Sequence, residues 1–409
     1  MAGGRRVGEA MNWLRRLGRN RLLDFGAAVI AVLCVVRLAL VLPSRATEND
    51  FAHYYVARQL LFDAPNPYTT PLAPLYAQHG LVSEKTLPYA TDPPTMLWLF
   101  APLEWLPLRM AFGLWVGAEI ASLSATLWLT RRLLEGRLSA RGWWFLCAGT
   151  VASTAVYWHF CYSQLQLSIA AILLAAYAYQ RTGKDSAACL LVTAAGLLKL
   201  FPFVLLPWFL WRSKGSAKTR AGRTALMIAV VAVCIWLTGW SRWVDFSRDA
   251  MTTITESATR YLDSYSIGSL VGKFGSRMKI ASPFLGPMLM ALGYWRCSRF
   301  HGDPEAEFCL MTVAMVAGGV VAWAHYFVLL IFPMAVAATR IATDVSGWRV
   351  MFYTLLWLCF ENLHTYDTVF LKRHLYLRVW VNYLPLYGLV AFLLFFAMVG
   401  RGTRQPTAR

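Results

Sequence analysis

Residues 22–42 have the sequence LLDFGAAVIAVLCVVRLALVL, an almost uninterrupted apolar run. A helix of about 20 apolar residues crosses the hydrocarbon core of a bilayer, so this stretch predicts a membrane span. The run is too long for the apolar part of a secretory signal peptide, and it lacks a small-residue cleavage site. We therefore expect it to be retained as the first span of a membrane protein.

The composition of the whole chain agrees with this prediction. Of its 409 residues, 58% are hydrophobic and only 15% are charged. Soluble domains are nearer half apolar and a quarter charged. The aromatic content of 14% suits a protein whose Trp and Tyr side chains populate two membrane interfaces.

Further apolar runs follow along the chain and predict an all-α, polytopic bundle of about twelve spans. The predicted spans are Leu22–Leu42, Met110–Leu129, Trp143–Tyr157, Leu165–Tyr179, Ala187–Leu200, Phe203–Trp211, Ala225–Trp240, Phe284–Trp295, Phe308–Trp323, Tyr326–Ala338, Val350–Phe360 and Leu384–Val399. No polar stretch is long enough for a separate soluble domain. We expect one transmembrane domain over residues 1–400 and a cytoplasmic tail over 401–409.

The formal net charge of +18 is concentrated in short segments between the predicted spans. Most of the 39 Lys and Arg residues lie before the first span and in alternate loops, such as 130–142 and 212–224. The positive-inside rule then places both termini in the cytoplasm. A nucleic-acid-binding protein would instead carry a continuous basic face with stacking aromatics, so we exclude that class.

Pro93–Pro107 is apolar enough to enter the membrane, but a full span here would reverse every later loop. We expect a juxtamembrane or re-entrant helix that begins at Asp92-Pro93-Pro94, because proline suits the first turn of a helix. The first outer loop then covers residues 43–107. Together with the long outer segments 241–282 and 361–380, it indicates a function at the outer face.

Common cofactor and metal motifs are absent from the sequence. It has no phosphate-binding glycine loop, no HExxH pair and no GxSxG elbow, which argues against ATP-driven transport and the commoner hydrolases. The eight cysteines form no CxxC pair and are expected to be small buried hydrophobes. We expect neither a metal nor a cofactor.

Three charged or titratable residues stand out at the predicted outer boundary. Asp50 follows the first span and can act as a base or cap the next helix, and the two roles are compatible. Lys199 ends an apolar run, where it can extend to lipid headgroups or bind an anionic group such as a phosphate. His325 can be structural, donate to a phosphate or shuttle a proton.

Polar side chains of the same outer regions are further candidates for substrate contacts. Gln164 and Gln166 lie where a span re-enters from outside, and amides at that depth need partners. Tyr68 ends a rigid Pro-Asn-Pro turn, and Tyr265 lies in a later outer segment that can line the same pocket. A base, a cation and a histidine at a lipid–water boundary suit transfer from a lipid-phosphate donor.

An ordered set of short motifs carries a family resemblance over nearly the whole chain. The motifs are Asp50-Phe51-x-x-Tyr54-Tyr55, Asn66-Pro67-Tyr68, Pro93-Pro94, Ser163-Gln164-Leu165-Gln166, Leu198-Lys199-Leu200-Phe201-Pro202 and Trp323-Ala324-His325-Tyr326. The set resembles the GT-C-type integral membrane glycosyltransferases, specifically glycosyltransferase family 87, which includes actinobacterial polyprenol-phosphate-mannose-dependent α-1,2-mannosyltransferases.

The resemblance implies a GT-C-like helical bundle with juxtamembrane helices in the first outer loop. It also implies an inverting transfer of a hexose, mannose in the type members, from a polyprenyl phosphate to a lipid or glycan hydroxyl. The reaction would occur at the periplasmic face of the bacterial inner membrane. Asp50 matches the family's general base, and Lys199 and His325 match residues that contact the donor phosphate. Gln164, Gln166, Tyr54, Tyr68 and Tyr265 are expected to bind substrate.

The sequence departs from the family pattern at three positions. Ser163 stands where a glycine is common, Gln166 where an asparagine is common, and Asp92 where an aromatic residue often precedes the two prolines. These changes imply a different sugar or acceptor. Two other classes share the topology: a lipid or sugar transporter or flippase, and a non-catalytic assembly subunit. Loss of Asp50 would alter transport kinetics in the first and be tolerated in the second.

Overall fold

The computed structural model describes residues 3–47, 50–81, 88–260, 264–272, 276–299, 302–342 and 384–399. Within these residues the chain is helical and contains no strand, which confirms the all-α prediction. The predicted span Val350–Phe360, the outer loop 361–380 and the tail 401–409 lie outside the described residues.

The α-helices are numbered here in chain order. They are α1 (Gly3–Arg45), α2 (Asp50–Asp63), α3 (Ala73–Gln78), α4 (Pro94–Leu99), α5 (Leu108–Leu133), α6 (Ala140–Ala152), α7 (Thr154–Tyr162), α8 (Gln166–Arg181), α9 (Asp185–Leu198), α10 (Leu206–Arg212), α11 (Ala217–Thr238), α12 (Trp240–Asp245), α13 (Met251–Arg260), α14 (Ile267–Gly272), α15 (Ser276–Arg299), α16 (Pro304–Gly318), α17 (Ile331–Ala342) and α18 (Leu384–Val399). Short 3₁₀ segments cover Ala101–Leu103, Phe201–Leu205 and Ala324–Leu330, and a π-helical turn covers Phe246–Ala250.

Three helices of the described residues are long and apolar enough to cross a membrane: α1 from Arg21 onward, α5 and α11. A fourth span results if the bent pair of α7 and α8 counts as one. The other predicted spans within the described residues also fall on helical segments, but many of these are short or broken, as at Ser153 between α6 and α7. The count of about twelve spans is therefore not confirmed.

Local sequence explains where several helices begin. Ser139, Ser153 and Ser216 each accept a hydrogen bond from a backbone amide in the first turn of α6, α7 and α11. Such caps satisfy donors that a helix start leaves unpaired. The extended Pro93, followed by Pro94 at the first helical position, begins α4 as predicted. With six residues, α4 is too short to be a span, and its juxtamembrane or re-entrant position stays a prediction.

The helices pack into one bundle around α5, α8, α9 and α16. α5 packs on α8, α8 on α9, and α15 and α18 on α16, while α1 lies against α6 and α7. Many apolar side chains of α1 are exposed, as expected for a helix that faces lipid. In contrast, the first two turns of α2 are buried, and its Phe51 packs against Phe100, which follows α4, and Trp115 of α5.

Two local features shape the region where the candidate residues meet. Ser163 is left-handed (φ 52°, ψ 45°) and turns the chain through 117° between α7 and α8. Gly196 in α9 lets Phe203 fold back onto the helix, since a Cβ there would lie 2.6 Å from the Phe203 ring. Gln164 lies at the bend between α7 and α8. Lys199 lies where the chain folds back between Gly196 and Phe203.

Candidate active site

A cavity of about 580 Å³ lies where α2, α4, α9 and the bend after α7 approach the segments around α13–α16. One group of its lining side chains is polar: Asp50, His53, Tyr54, Thr91, Asp92, Gln164, Lys199 and His325. Another group is apolar: Leu200, Phe201, Val204, Met251, Ile254, Met290, Met315, Val320 and Val321. The cavity therefore offers charged groups and a hydrocarbon-like wall to one ligand.

Gln164 lies at the centre of the polar group and contacts several of its members. Its amide Nε2 donates to the Asp50 carboxylate, and its Oε1 accepts from the Tyr54 hydroxyl at 2.9 Å. The same Oε1 lies 3.4 Å from Lys199 Nζ and 3.3 Å from Gln166 Nε2. One side chain thus connects residues from α2, α8 and the end of α9.

Lys199 forms an ion pair with Asp92. Its Nζ lies 3.0 Å from Asp92 Oδ1 and 5.7 Å from the centre of the Tyr54 ring. Lys199 directly follows α9 and has extended backbone. Asp92 is buried directly before α4, and its backbone carbonyl accepts from the Tyr68 hydroxyl at 3.0 Å. The charge of Lys199 is partly compensated within the protein.

His53 is buried one turn after Asp50 on α2. Its Nδ1 lies 3.2 Å from the Tyr76 hydroxyl, and its Nε2 lies 3.4 Å from Thr91 Oγ1 and 3.7 Å from Asp92 Oδ2. Burial lowers the pKa of His53 to about 4, although Asp92 raises it. His53 is therefore neutral at pH 7 and adds no charge to the cavity.

Asp50 is partly exposed to the cavity at the start of α2. Desolvation raises the pKa of its carboxyl from 3.8 to about 6; Lys199 and the Gln164 hydrogen bond oppose the increase, and Asp92 adds to it. A carboxylate with a pKa near 6 is mostly ionised at pH 7 and is a stronger base than an ordinary aspartate. Its chemistry therefore fits proton abstraction from a hydroxyl.

His325 is 4% exposed, and neither ring nitrogen has a hydrogen-bond partner among the described residues. Its ring is held between aromatic neighbours, with centroid distances of 5.6 Å to Tyr162 and 5.1 Å to Tyr326. Buried polar atoms are normally satisfied, so an unpartnered ring that lines a cavity indicates a site for a ligand atom.

The structure brings together five of the eight residues predicted from the sequence. Asp50, Tyr54, Gln164, Lys199 and His325 line the cavity. The remaining three are buried beside it. Gln166 contacts Gln164, Tyr68 contacts the Asp92 carbonyl, and the backbone amide of Tyr265 donates to the Ala322 carbonyl at 2.7 Å. Their contacts with substrate stay predictions.

Asp92 and His53 were not predicted as site residues. The sequence marks Asp92 as the start of a predicted helix and as a departure from the family pattern, but it does not indicate the partner of Asp92, Lys199, which lies 107 residues later. His53 follows Asp50 at a spacing of three residues, which places both on one helix face. This spacing is the feature of the sequence that indicates His53 as a second residue of the site.

Metal ligation has no obvious place among the described residues. They include no group of three or more His, Cys, Asp and Glu side chains that could hold a metal ion. The seven described cysteines are free. The side chains that line the cavity include carboxylates, an ammonium group, an amide, hydroxyls and imidazoles.

The described residues form a helical bundle with apolar helices long enough to cross a membrane and a cavity lined by both charged and apolar side chains, which indicates a membrane protein. Residues 90–326 match glycosyltransferase family 87, and since the match covers more than half of the chain, the protein belongs to that family. It is a glycosyltransferase. Asp92, Gln164, Lys199 and His325 lie within the matched residues, and Asp50 precedes them. No curated protein and no solved structure matches the chain.

Proposed function

We propose that the protein is an inverting hexosyltransferase, with mannose as the sugar, that uses a polyprenyl-phosphate donor. The acceptor is a hydroxyl of a lipid or glycan at the periplasmic face of the bacterial inner membrane. The observation that carries the proposal is the cavity itself, in which the Asp50–Gln164–Lys199 cluster adjoins an apolar wall. A polyprenyl-phosphate sugar has the same division into a polar head and a hydrocarbon tail.

The proposed reaction is a single displacement at the anomeric carbon. The acceptor hydroxyl gives its proton to Asp50 as its oxygen forms a bond to C1 of the sugar. The bond between C1 and the phosphate oxygen breaks, and its electron pair leaves with the polyprenyl phosphate. Because the leaving group is a stable phosphate, the reaction needs little acid catalysis, and positioning and charge stabilisation dominate.

Lys199 and His325 are assigned to the phosphate. Negative charge on the phosphate increases as the C1–O bond breaks, and a fixed ammonium and an imidazole N–H then stabilise the transition state more than the ground state. His325 supports this role because its ring nitrogens are unpartnered among the described residues. Lys199 supports it because it lines the cavity next to Gln164 and Asp50.

The family match favours a transferase over the transporter and the assembly subunit. For these two classes, purified protein would form no glycosidic bond. The proposed transferase accumulates both a glycosylated acceptor and free polyprenyl phosphate in equal amounts.

The test uses purified protein in lipid nanodiscs with a panel of radiolabelled polyprenyl-phosphate sugars and extracted envelope lipids. The wild type should transfer one sugar, and Asp50→Asn should lose about 10²–10⁴-fold in rate, the usual contribution of a general base. Asp63→Asn is the matched control, since Asp63 is an exposed aspartate at the other end of α2. Full activity of Asp50→Asn would refute the assignment of the base, and transfer from none of the donors would refute the proposed reaction.

A further inference from the structure

Glu119 is a buried carboxylate in the middle of the apolar helix α5, and the proposed reaction does not use it. It is 1% exposed and lies in a helix that is long and apolar enough to cross a membrane. An ionisable side chain inside a membrane-spanning helix costs free energy, and such side chains usually have a function. Glu119 does not line the cavity.

The contacts of Glu119 join the two arms of the bend between α7 and α8. Its Oε2 lies 3.0 Å from His159 Nε2 on α7 and 3.3 Å from the backbone N of Ser168 on α8. Its Oε1 accepts from the Ser168 hydroxyl at 2.5 Å. Because Ser168 belongs to the first turn of α8, the carboxylate also lies at the positive end of that helix.

The bend held in this way carries Gln164. The backbone amide of Gln164 donates to the carbonyl of His159 at 3.2 Å, so Glu119 connects to Gln164 through one residue. One turn earlier on α5, Trp115 Nε1 donates to the Ser163 carbonyl at 2.9 Å. Two side chains of α5 therefore fix both sides of Gln164.

We propose that Glu119 is a positioning residue that holds the α7–α8 bend in register and thereby keeps the Gln164 amide on the Asp50 carboxylate. Trp115 has the same role from the preceding turn. The proposal rests on the proposed function, in which Asp50 is the general base. In this proposal Glu119 acts on the reacting atoms through Gln164.

A double-mutant cycle tests this link. Glu119→Ala and Gln164→Ala should each lower kcat by about 10–100-fold with the donor KM changed less than about threefold, because a displaced catalytic group costs rate more than binding. The double variant should be no slower than Gln164→Ala alone, since coupled residues are not additive. If the fold losses in kcat of the two single variants multiply in the double variant, the proposal is overturned.

Two further measurements separate positioning from a general loss of folding. Gln164 lowers the pKa of Asp50, so Glu119→Ala should move the acid limb of kcat/KM to higher pH, which a smaller folded fraction cannot do. Glu119→Gln should keep near-normal activity, because an amide can still accept from the Ser168 amide and pair with its hydroxyl. An unmoved acid limb in Glu119→Ala would contradict the proposal.

Trp115→Phe and Glu305→Gln complete the set. Trp115→Phe removes the hydrogen bond to the Ser163 carbonyl together with part of a buried ring that packs on Phe51 and Phe100, and it should lower kcat in the same way as Glu119→Ala. Glu305 is a buried carboxylate that pairs with Arg137 and Arg340 and does not line the cavity, so Glu305→Gln should leave kcat unchanged.

A wild type that transfers no sugar would refute the proposed function alone. The positioning link is then measured from the melting temperatures of the wild type, Glu119→Ala, Gln164→Ala and the double variant. Non-additive changes in melting temperature support the link, and additive changes overturn it.

Discussion

The Lys199 ammonium lies 3.0 Å from the Asp92 carboxylate, and both side chains are largely withdrawn from solvent, at 16% and 5% exposure. Both residues belong to the polar group that lines the cavity, together with Gln164 and Asp50. The donor phosphate of the proposed reaction therefore meets a cation that already has an anionic partner. We expect Asp92 to hold Lys199 in place before the donor binds.

Removing one member of this pair should destabilise the protein more than removing both. Asp92→Asn leaves a poorly compensated cation inside the protein and should lower the free energy of unfolding by about 3 kcal/mol. The double variant Asp92→Asn/Lys199→Met should recover most of that loss. Thermal unfolding in detergent measures both changes.

The ion pair that Arg248 forms with Asp249 is the control. Arg248 is 64% exposed, and an exposed arginine in an ion pair contributes little, so Arg248→Gln should leave the melting temperature nearly unchanged. If Asp92→Asn is as stable as the wild type, the buried pair does not hold Lys199.

The rate of transfer should depend on pH through Asp50. Only the carboxylate can accept the acceptor's proton, and burial places its pKa at about 6. The value of kcat/KM should therefore be nearly constant above pH 7 and fall about tenfold for each pH unit below 6. Initial rates between pH 4.5 and 8 measure this limb.

Substitution of Gln164 tests whether Asp50 is the group that controls the acid limb of kcat/KM. The Gln164 hydrogen bond lowers the pKa of Asp50, so the acid limb of Gln164→Ala should lie at higher pH than that of the wild type. An acid limb that does not change in Gln164→Ala would mean that another group controls the rate.

His325 should affect the reaction more than the stability. Because its ring nitrogens have no hydrogen-bond partner among the described residues, His325→Ala removes no hydrogen bond that the fold uses there. The loss of one donor to a developing negative charge typically costs about 10²–10³-fold in rate. Donor titrations of kcat and KM, with the melting temperature measured in parallel, check this prediction.

A structural role for His325 predicts the opposite result, a lower melting temperature with kcat/KM close to the wild-type value. His79 is a suitable comparison, since this histidine directly follows α3 and does not line the cavity. His79→Ala should leave kcat/KM unchanged.

Ser163 should be replaceable by glycine but not by valine. Its left-handed backbone is strained by about 1–2 kcal/mol for a residue with a side chain. Glycine relieves that strain and loses the hydrogen bond from Ser163 Oγ to the Phe160 carbonyl, so Ser163→Gly should retain stability and activity. Ser163→Val keeps the strain, loses the hydrogen bond and should lower both, as measured by melting temperature and transfer rate.

Much of the fold follows from local sequence. The apolar run of residues 22–42 predicts a span, and the structure has a helix there. Pro93 and Pro94 predict the start of α4 within one residue, because proline fixes the backbone that a first helical turn needs. Helix ends and apolar faces depend on neighbours a few residues apart, so they can be inferred from the order of residues.

The candidate site was predictable only in part. The sequence indicated that Asp50, Gln164 and Lys199 need polar partners, because each follows or interrupts an apolar run. It could not indicate which partners. Asp92 lies in a different segment from its partner, and Glu119 is a single charge in the middle of an apolar helix with no neighbouring motif to mark it.

The sequence by itself determined the class of protein, the helical segments and the residues too polar for their surroundings. The tertiary structure alone decided that Lys199 pairs with Asp92, that Gln164 joins Asp50 across 114 residues, and that His325 faces the cavity unpaired among the described residues. The physical reason is the separation along the chain over which each effect acts. Hydropathy and helix capping act between near neighbours, whereas the pairing of buried polar groups depends on which helices pack together.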